Sequence, residues 1–330
     1  MRYLVLLLLC ATATADPQLI SVRKISDAAP HSAFTDLAYF KNRWICTFRE
    51  GQAHVSADGA ICVLESADAE TWARAAKLTR PDGDLRDPKI SITPDNRLLL
   101  TAAIAQSTGS KLPVAQKAGG AKEHRTLVWF SEDGRKWSEA KEIGDVNVWL
   151  WRVAWHEGKA YGVGYATVAP PFVRLYESGD GIAFKALVPA LFEKGEPSEA
   201  ALVFDGDGSC LCLLRRDAKG KDGSAQLGIA RAPFTEWSWK DLGMRVGGPA
   251  LTRLPDGRFI AAGRFYEPAA HTALAWLDPG AGKLTPFLKL PSGGDTSYPG
   301  LVFRDGILRV SYYSSHEGKT SIYLASVKLN

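Results

Sequence analysis

Six tight turns set the organisation of this 330-residue chain: Lys41-Asn42, Asp95-Asn96, Glu157-Gly158, Asp207-Gly208, Asp256-Gly257 and Asp305-Gly306. Each offers Asn or Gly where a hairpin needs a positive φ. Successive turns lie 54, 62, 50, 49 and 49 residues apart. A short apolar strand precedes every turn and another follows it, as in "RWICTFR", "SCLCLLR" and "ILRVSYY". A third strand usually comes next, as in "AICVLES", "LGIARAP" and "TSIYLAS". Helical periodicity is almost absent. Six repeats of about fifty residues, each with three or four short strands, predict an all-β chain folded as a six-bladed β-propeller. "PQLISVRKI" precedes the first repeat, and the sixth runs out after its third strand. The N-terminal strand is therefore expected to complete the last blade and close the ring. One domain then spans residues 16–330, and the polar, Gly-rich insertion from about Ala105 to His124 reads as a loop on blade two.

The first fifteen residues read differently. One Arg precedes an apolar run from Leu4 to Cys10, and small residues end at Ala15. This pattern is that of a secretory signal cleaved after Ala15, so a secreted or periplasmic protein is expected. The run is too short to span a bilayer, and Leu9 stands where a lipoprotein site at Cys10 would want a small residue. The formal charge of +4 is small and evenly spread, with no basic run, which excludes an electrostatic nucleic-acid binder. Of Cys46, Cys62, Cys210 and Cys212, no pair or Cys/His cluster has zinc spacing. Neither a metal nor another cofactor is expected. Cys46 and Cys62 fall on neighbouring strands, where a disulfide is open, though buried free thiols fit the apolar settings better. No oligomer surface stands out, and a monomer is expected.

A second periodic mark is Ser-x-Asp followed by an aromatic: "SADAETW", "SEDGRKW" and "SGDGIAF". Its Ser and Asp suit a tight turn while the aromatic wedges between sheets, a structural role.

The repeat also aligns residues that share a position. Asp36, Asp87, Arg152, Glu199, Pro249 and Tyr298 stand at the starts of the first strands, which crowd one mouth of a propeller. Charge there is costly unless paired or used. Seven residues past each turn stand Arg49, Ala103, Tyr165, Arg215, Arg264 and Tyr313, which return to the same mouth. Guanidinium groups in one register repel one another unless they brace carboxylates or hold an anion, and each can grip a carboxylate with two parallel donors.

These residues together resemble the sialidase (neuraminidase) superfamily, with degenerate Asp-boxes, over almost the whole mature chain. The resemblance implies an exo-glycosidase acting on an acidic glycan. Tyr298 matches the nucleophile and Glu199 the carboxylate that takes its proton, the pairing of a retaining glycosidase with a Tyr nucleophile. Arg215 and Arg264 match two members of an arginine triad that grips the sugar carboxylate, and Arg49 a further pocket arginine. Glu317 or Tyr313 would orient an arginine. Asp87 matches an acidic residue that contacts the sugar's amide side chain, with Arg86 facing away. The triad's first arginine is missing: Asp36 stands in its place, and Arg152 would have to compensate. The general acid should lie in "EGQAHVSADG" after Arg49, where Asp58 and His54 both qualify. Two other readings stay open. One is a lyase on uronic-acid chains using Tyr298 with His54 or His316. The other is a glycan-binding propeller without turnover.

Overall fold

The computed structural model describes residues 16–107 and 122–329. The expected signal at residues 1–15, Cys10, and most of the blade-two insertion lie outside the described residues. The regular secondary structure of the described residues is all strand apart from one short 3-10 turn at Gly220–Gly223. It forms six four-stranded antiparallel sheets. Each of the six expected turns joins the first and second strands of a sheet. Asn42, Asn96, Gly158, Gly208, Gly257 and Gly306 all take positive φ, as a hairpin of this hand requires.

The innermost strands are His31–Phe40, Gly83–Ile92, Val148–His156, Pro197–Phe204, Gly247–Arg253 and Thr296–Arg304. Each touches the innermost strand of the blade before and after it, and the sixth returns to the first. The N-terminal strand Gln18–Ser26 pairs antiparallel with Ser321–Lys328 and supplies the fourth strand of blade six. The ring closes as the sequence predicts.

Packing follows from the period of two along each strand. In Cys210–Arg216, Leu211 and Leu213 pack with blade five, while Cys210, Cys212 and Leu214 pack with blade three. The buried apolar residues accordingly fall into six clusters, one at each interface between blades. All four described cysteines are buried free thiols, so Cys46 and Cys62 are not bridged. The three Ser-x-Asp turns share one geometry. In the first, Asp68 Oδ1 accepts the Glu70 and Thr71 amides at 2.8 Å, and Ser66 Oγ accepts the Ala69 amide at 2.9 Å. Ser131 with Asp133 and Ser178 with Asp180 repeat these contacts.

Candidate functional site

Every innermost strand carries a β-bulge, within one residue of the same height. The pairing register breaks between Ala33 and Asp36, Arg86 and Lys89, Leu150 and Arg152, Pro197 and Ala200, Gly247 and Ala250, and Ser297 and Gly300. A bulge re-aims side chains that regular pleating would send between sheets. Phe34, Asp87, Gly248 and Tyr298 occupy these bulges with φ of 62°, 48°, 56° and 52°. Left-handed backbone at a bulky residue is strained, and such strain gathers at functional sites. The bulges also correct the sequence alignment. Phe34, not Asp36, is the blade-one counterpart of Asp87 and Tyr298, and Asp36 lies one step deeper, level with Lys89 and Arg152.

Tyr298 and Glu199 meet at this mouth. The phenol donates to Glu199 Oε1 at 2.5 Å. Glu199 Oε2 accepts Arg215 Nη1 at 2.6 Å and the Gly248 amide at 2.9 Å. Arg215 Nη1 also reaches the phenol oxygen at 3.0 Å, so one guanidinium nitrogen contacts both partners. Asp217 holds the far edge of Arg215, and Ser198 holds Asp217. Burial raises the Tyr298 pKa well above the ordinary phenol range; Glu199 adds to this, and Arg215 and Arg264 oppose it. The resting phenol therefore keeps its proton, and a hydrogen-bonded carboxylate stands ready to take it.

Arg264 comes from blade five. Its Nε donates to Thr296 O at 2.8 Å, and its guanidinium carbon lies 5.6 Å from the Tyr298 ring centre. Its Nη2 donates to Tyr313 Oη at 2.9 Å and to Asp295 Oδ1 at 3.3 Å. Tyr313 is fully buried and donates to Asp295 Oδ1 at 2.8 Å, so it orients Arg264 and does not line the mouth.

Asp87 is buried beside the dyad. Trp151 Nε1 donates to its Oδ2 at 3.3 Å, while its Oδ1 has no protein partner among the described residues. Burial raises its pKa against the pull of Arg86 and Lys89, with Glu199 adding to the rise. Arg86 does not face away. Its guanidinium lies over the Phe34 ring at 5.1 Å and donates to His54 O at 2.8 Å.

Several expected site residues stand elsewhere. Arg49 is fully buried: its Nε donates to Asp84 Oδ1 at 2.8 Å, and its terminal nitrogens hold Ala53 O and Ser56. It is the brace of the loop after it. Asp58 lies on the outer side of that loop, accepts the Gln52 amide at 3.2 Å and lines a shallow pocket with Glu50, Arg74 and Lys77. Burial opposes its ionisation, but hydrogen bonds from Ser56 and the Gln52 amide outweigh that and lower its pKa. Asp36 and Arg152 pair with each other at 3.0 Å beneath the site, and Arg152 Nη2 donates to Pro299 O at 2.8 Å. Glu317 pairs with Lys24 at 2.7 Å and accepts Tyr323 Oη, far from any arginine of the mouth. His316 bonds Ser314.

Sequence reasoning missed Phe34, His31, Lys89 and Asp295. Phe34 touches His54, Tyr298 and Tyr313 with ring centres 5.2 to 5.3 Å apart. Lys89 is buried 5.5 Å beneath the Tyr298 ring, and burial together with Arg152 lowers its pKa to about 8. Asp295 Oδ2 takes His54 Nδ1 at 2.8 Å and His31 Nε2 at 3.2 Å. The ligating atoms of His31, His54 and Asp295 lie within 4.8 Å of one another, a spacing a metal ion could share. The Arg264 guanidinium on the same carboxylate opposes a cation there, and the contacts are those of a hydrogen-bonded node. The signal for Asp295 lay in "SGGDTSY", three residues before Tyr298 and on the same approach to the mouth.

No protein-family model matches the chain, and no curated protein matches it. Solved structures do. A crystal structure of a Dyadobacter fermentans protein of unknown function superposes with a TM-score of 0.83 at 19% identity, covering 95% of this chain and 99% of that one. An alpha-L-arabinofuranosidase of Fusarium graminearum, solved with arabinobiose, gives 0.70 at 11% identity over 96% of this chain and 98% of that one. The sialidase of Trypanosoma rangeli, solved with sialic acid, gives 0.65 at 12% identity over 96% of this chain and 58% of that one. At these identities the likeness is one of fold: the chain is a six-bladed propeller of the architecture these glycosidases share.

Proposed function

We propose that the protein is an exported, retaining exo-glycosidase that removes a terminal acidic sugar. The observation that carries this reading is the Tyr298–Glu199 contact with Arg215 bonded to both. A tyrosine nucleophile is the recognised exception among retaining glycosidases. It suits an anomeric carbon that bears a carboxylate, because a neutral phenol is not repelled as an Asp or Glu would be. Glu199 takes the phenol proton during attack, and Arg215 stabilises the negative charge that spreads over the pair. Arg264 lies on the other side of the phenol. Among the described residues its Nη1 donates to no protein acceptor, so it is available to the sugar carboxylate. Asp87, whose ionisation burial opposes, can exchange hydrogen bonds with a sugar hydroxyl or amide.

The clamp departs from a three-arginine grip. Blade one offers Phe34 where the resemblance calls for arginine, and Arg86 of blade two is the guanidinium stacked against that ring. Asp36 is neutralised by Arg152 and does not repel the substrate. The test is release of the aryl group from an aryl sialoside by residues 16–330. Wild type should turn over. Tyr298→Phe should lose nearly all activity, and Glu199→Gln should fall by about 10²–10⁴-fold, the range for a proton-transfer group. Release that survives Tyr298→Phe would remove the phenol from the mechanism. No release by wild type, with ultraviolet-absorbing products from uronate chains, would favour a lyase.

A further inference from the structure

A retaining glycosidase needs a second proton carrier, because the leaving oxygen must be protonated as the phenol attacks. We infer that His54 is that carrier and that Asp295 is the residue that positions it. This inference rests on the glycosidase reading above.

The geometry is that of a second dyad beside the first. Asp295 Oδ2 binds His54 Nδ1 at 2.8 Å. A carboxylate on Nδ1–H fixes the imidazole tautomer and orientation, leaves Nε2 to exchange the proton, and stabilises the imidazolium that carries it. Phe34 separates the two dyads: its ring centre is 5.2 Å from His54 and 5.2 Å from Tyr298. His54 is half exposed, whereas Tyr298 is buried, which places the imidazole on the solvent side where a departing group must leave.

The loop that carries His54 is held on three sides. Arg49 grips Ala53 O and Ser56, one residue before His54 and two after, and Arg86 grips His54 O. A proton carrier needs such fixed support. The charged and titratable groups around the imidazole are Asp295 from the approach to blade six, His31 from the start of blade one with its ring 5.4 Å away, and Arg86 from blade two. Asp295 also holds Tyr313 and Arg264 on its other oxygen. The same carboxylate thus sets the proton carrier and one arm of the clamp.

The step balances. The phenol oxygen of Tyr298 bonds to the anomeric carbon, and its proton passes to Glu199. The glycosidic bond breaks, and the leaving oxygen takes the proton from His54 Nε2. In the second step the neutral imidazole takes a proton from water, whose oxygen attacks the anomeric carbon. The Tyr298 bond breaks, and the phenol recovers its proton from Glu199.

The experiment is a leaving-group series: kcat/KM for the 4-nitrophenyl, 4-methylumbelliferyl and methyl α-sialosides. His54→Ala, His54→Gln, Asp295→Asn and Tyr298→Phe are compared, each with a thermal midpoint to confirm folding. 4-Nitrophenol leaves without much help from an acid, and methanol does not. His54→Ala and His54→Gln should therefore lose about 10²–10⁴-fold on the methyl glycoside and about tenfold or less on the 4-nitrophenyl one. Asp295→Asn should steepen the same dependence, an effect that loss of packing alone would not produce. Tyr298→Phe should lose activity across the whole series. An equal loss, or none, on every leaving group in folded His54 variants would overturn the assignment while leaving the glycosidase reading intact. A wild type that hydrolyses none of the series would overturn both.

Discussion

At the mouth of the ring, Asp87 carries a cost to stability. Its side chain is buried, its φ is left-handed, and burial raises its pKa despite Arg86 and Lys89. The unfolded carboxyl titrates near 3.9. Because the folded state disfavours the charged form, folded protein loses stability as pH rises from that value through the raised one. Asp87→Asn has no charge to bury. It should raise the urea midpoint at pH 7, and the gain should shrink as pH falls towards 4. A gain that persists unchanged in acid would assign the effect to packing. The same residue marks what the sequence could and could not say. Asp87, Glu199, Arg215, Arg264 and Tyr298 were legible because turn spacing places them in one ring. Asp36 was misplaced because the bulge shifts the inner strand's register, and nothing in "HSAFTDLAYF" shows where a bulge falls. Arg49 shares a register with Arg215 and Arg264 but points into Asp84. Only three-dimensional pairing decides which arginines of a ring are already satisfied.

At the scale of the element, the three Ser-x-Asp turns offer an internal comparison. Each needs a left-handed residue after the Asp, and the chain supplies Ala69, Gly134 and Gly181 with φ of 62°, 76° and 73°. An alanine in that conformation is strained by about 1 kcal/mol. The surroundings differ. A Cβ on Gly134 would meet Ile45 Cδ1 at 3.1 Å, whereas one on Gly181 would meet Leu99 Cδ1 at 2.7 Å and Trp155 at 3.3 Å. Gly181→Ala should therefore lower the urea midpoint more than Gly134→Ala, and Ala69→Gly should leave it unchanged or raise it. The reverse order would show that the turns do not share one backbone strain. These turns, like the six hairpins, were legible because their chemistry is local. The bulges were not, because a bulge is a property of two strands together.

At the scale of the whole molecule, the ring is held in two ways. The first is its closure. Gln18–Ser26 covers the outer edge of Ser321–Lys328 and adds Leu19 and Val22 to the interface between blades five and six. A chain beginning at Ala28 would expose that apolar edge, and unpaired edges recruit other strands. It should melt lower and scatter light at concentrations where residues 16–330 stay monodisperse. The second is a buried charge network under the site. Asp36 of blade one accepts Arg152 of blade three and the Ile90 amide of blade two, and Arg152 Nη2 donates to Pro299 O of blade six. Lys89 of blade two donates to Thr35 O of blade one. These contacts cross the axis and tie four blades at the floor of the mouth, above a cavity of about 150 Å³. Removing one member of a buried pair leaves the other charge uncompensated, which typically costs about 3–5 kcal/mol. Asp36→Ala should lose stability of that order, because Arg152 and Lys89 would then face each other without their carboxylate. Asp36→Ala with Arg152→Met should recover much of the loss, since the unpaired guanidinium is gone. A double variant no more stable than the single one would mean that Asp36 acts through the Ile90 amide and not through the ion pair. Full recovery of stability without recovery of turnover would place the network's main value in holding Pro299, and with it Tyr298, at the height where Glu199 can reach the phenol.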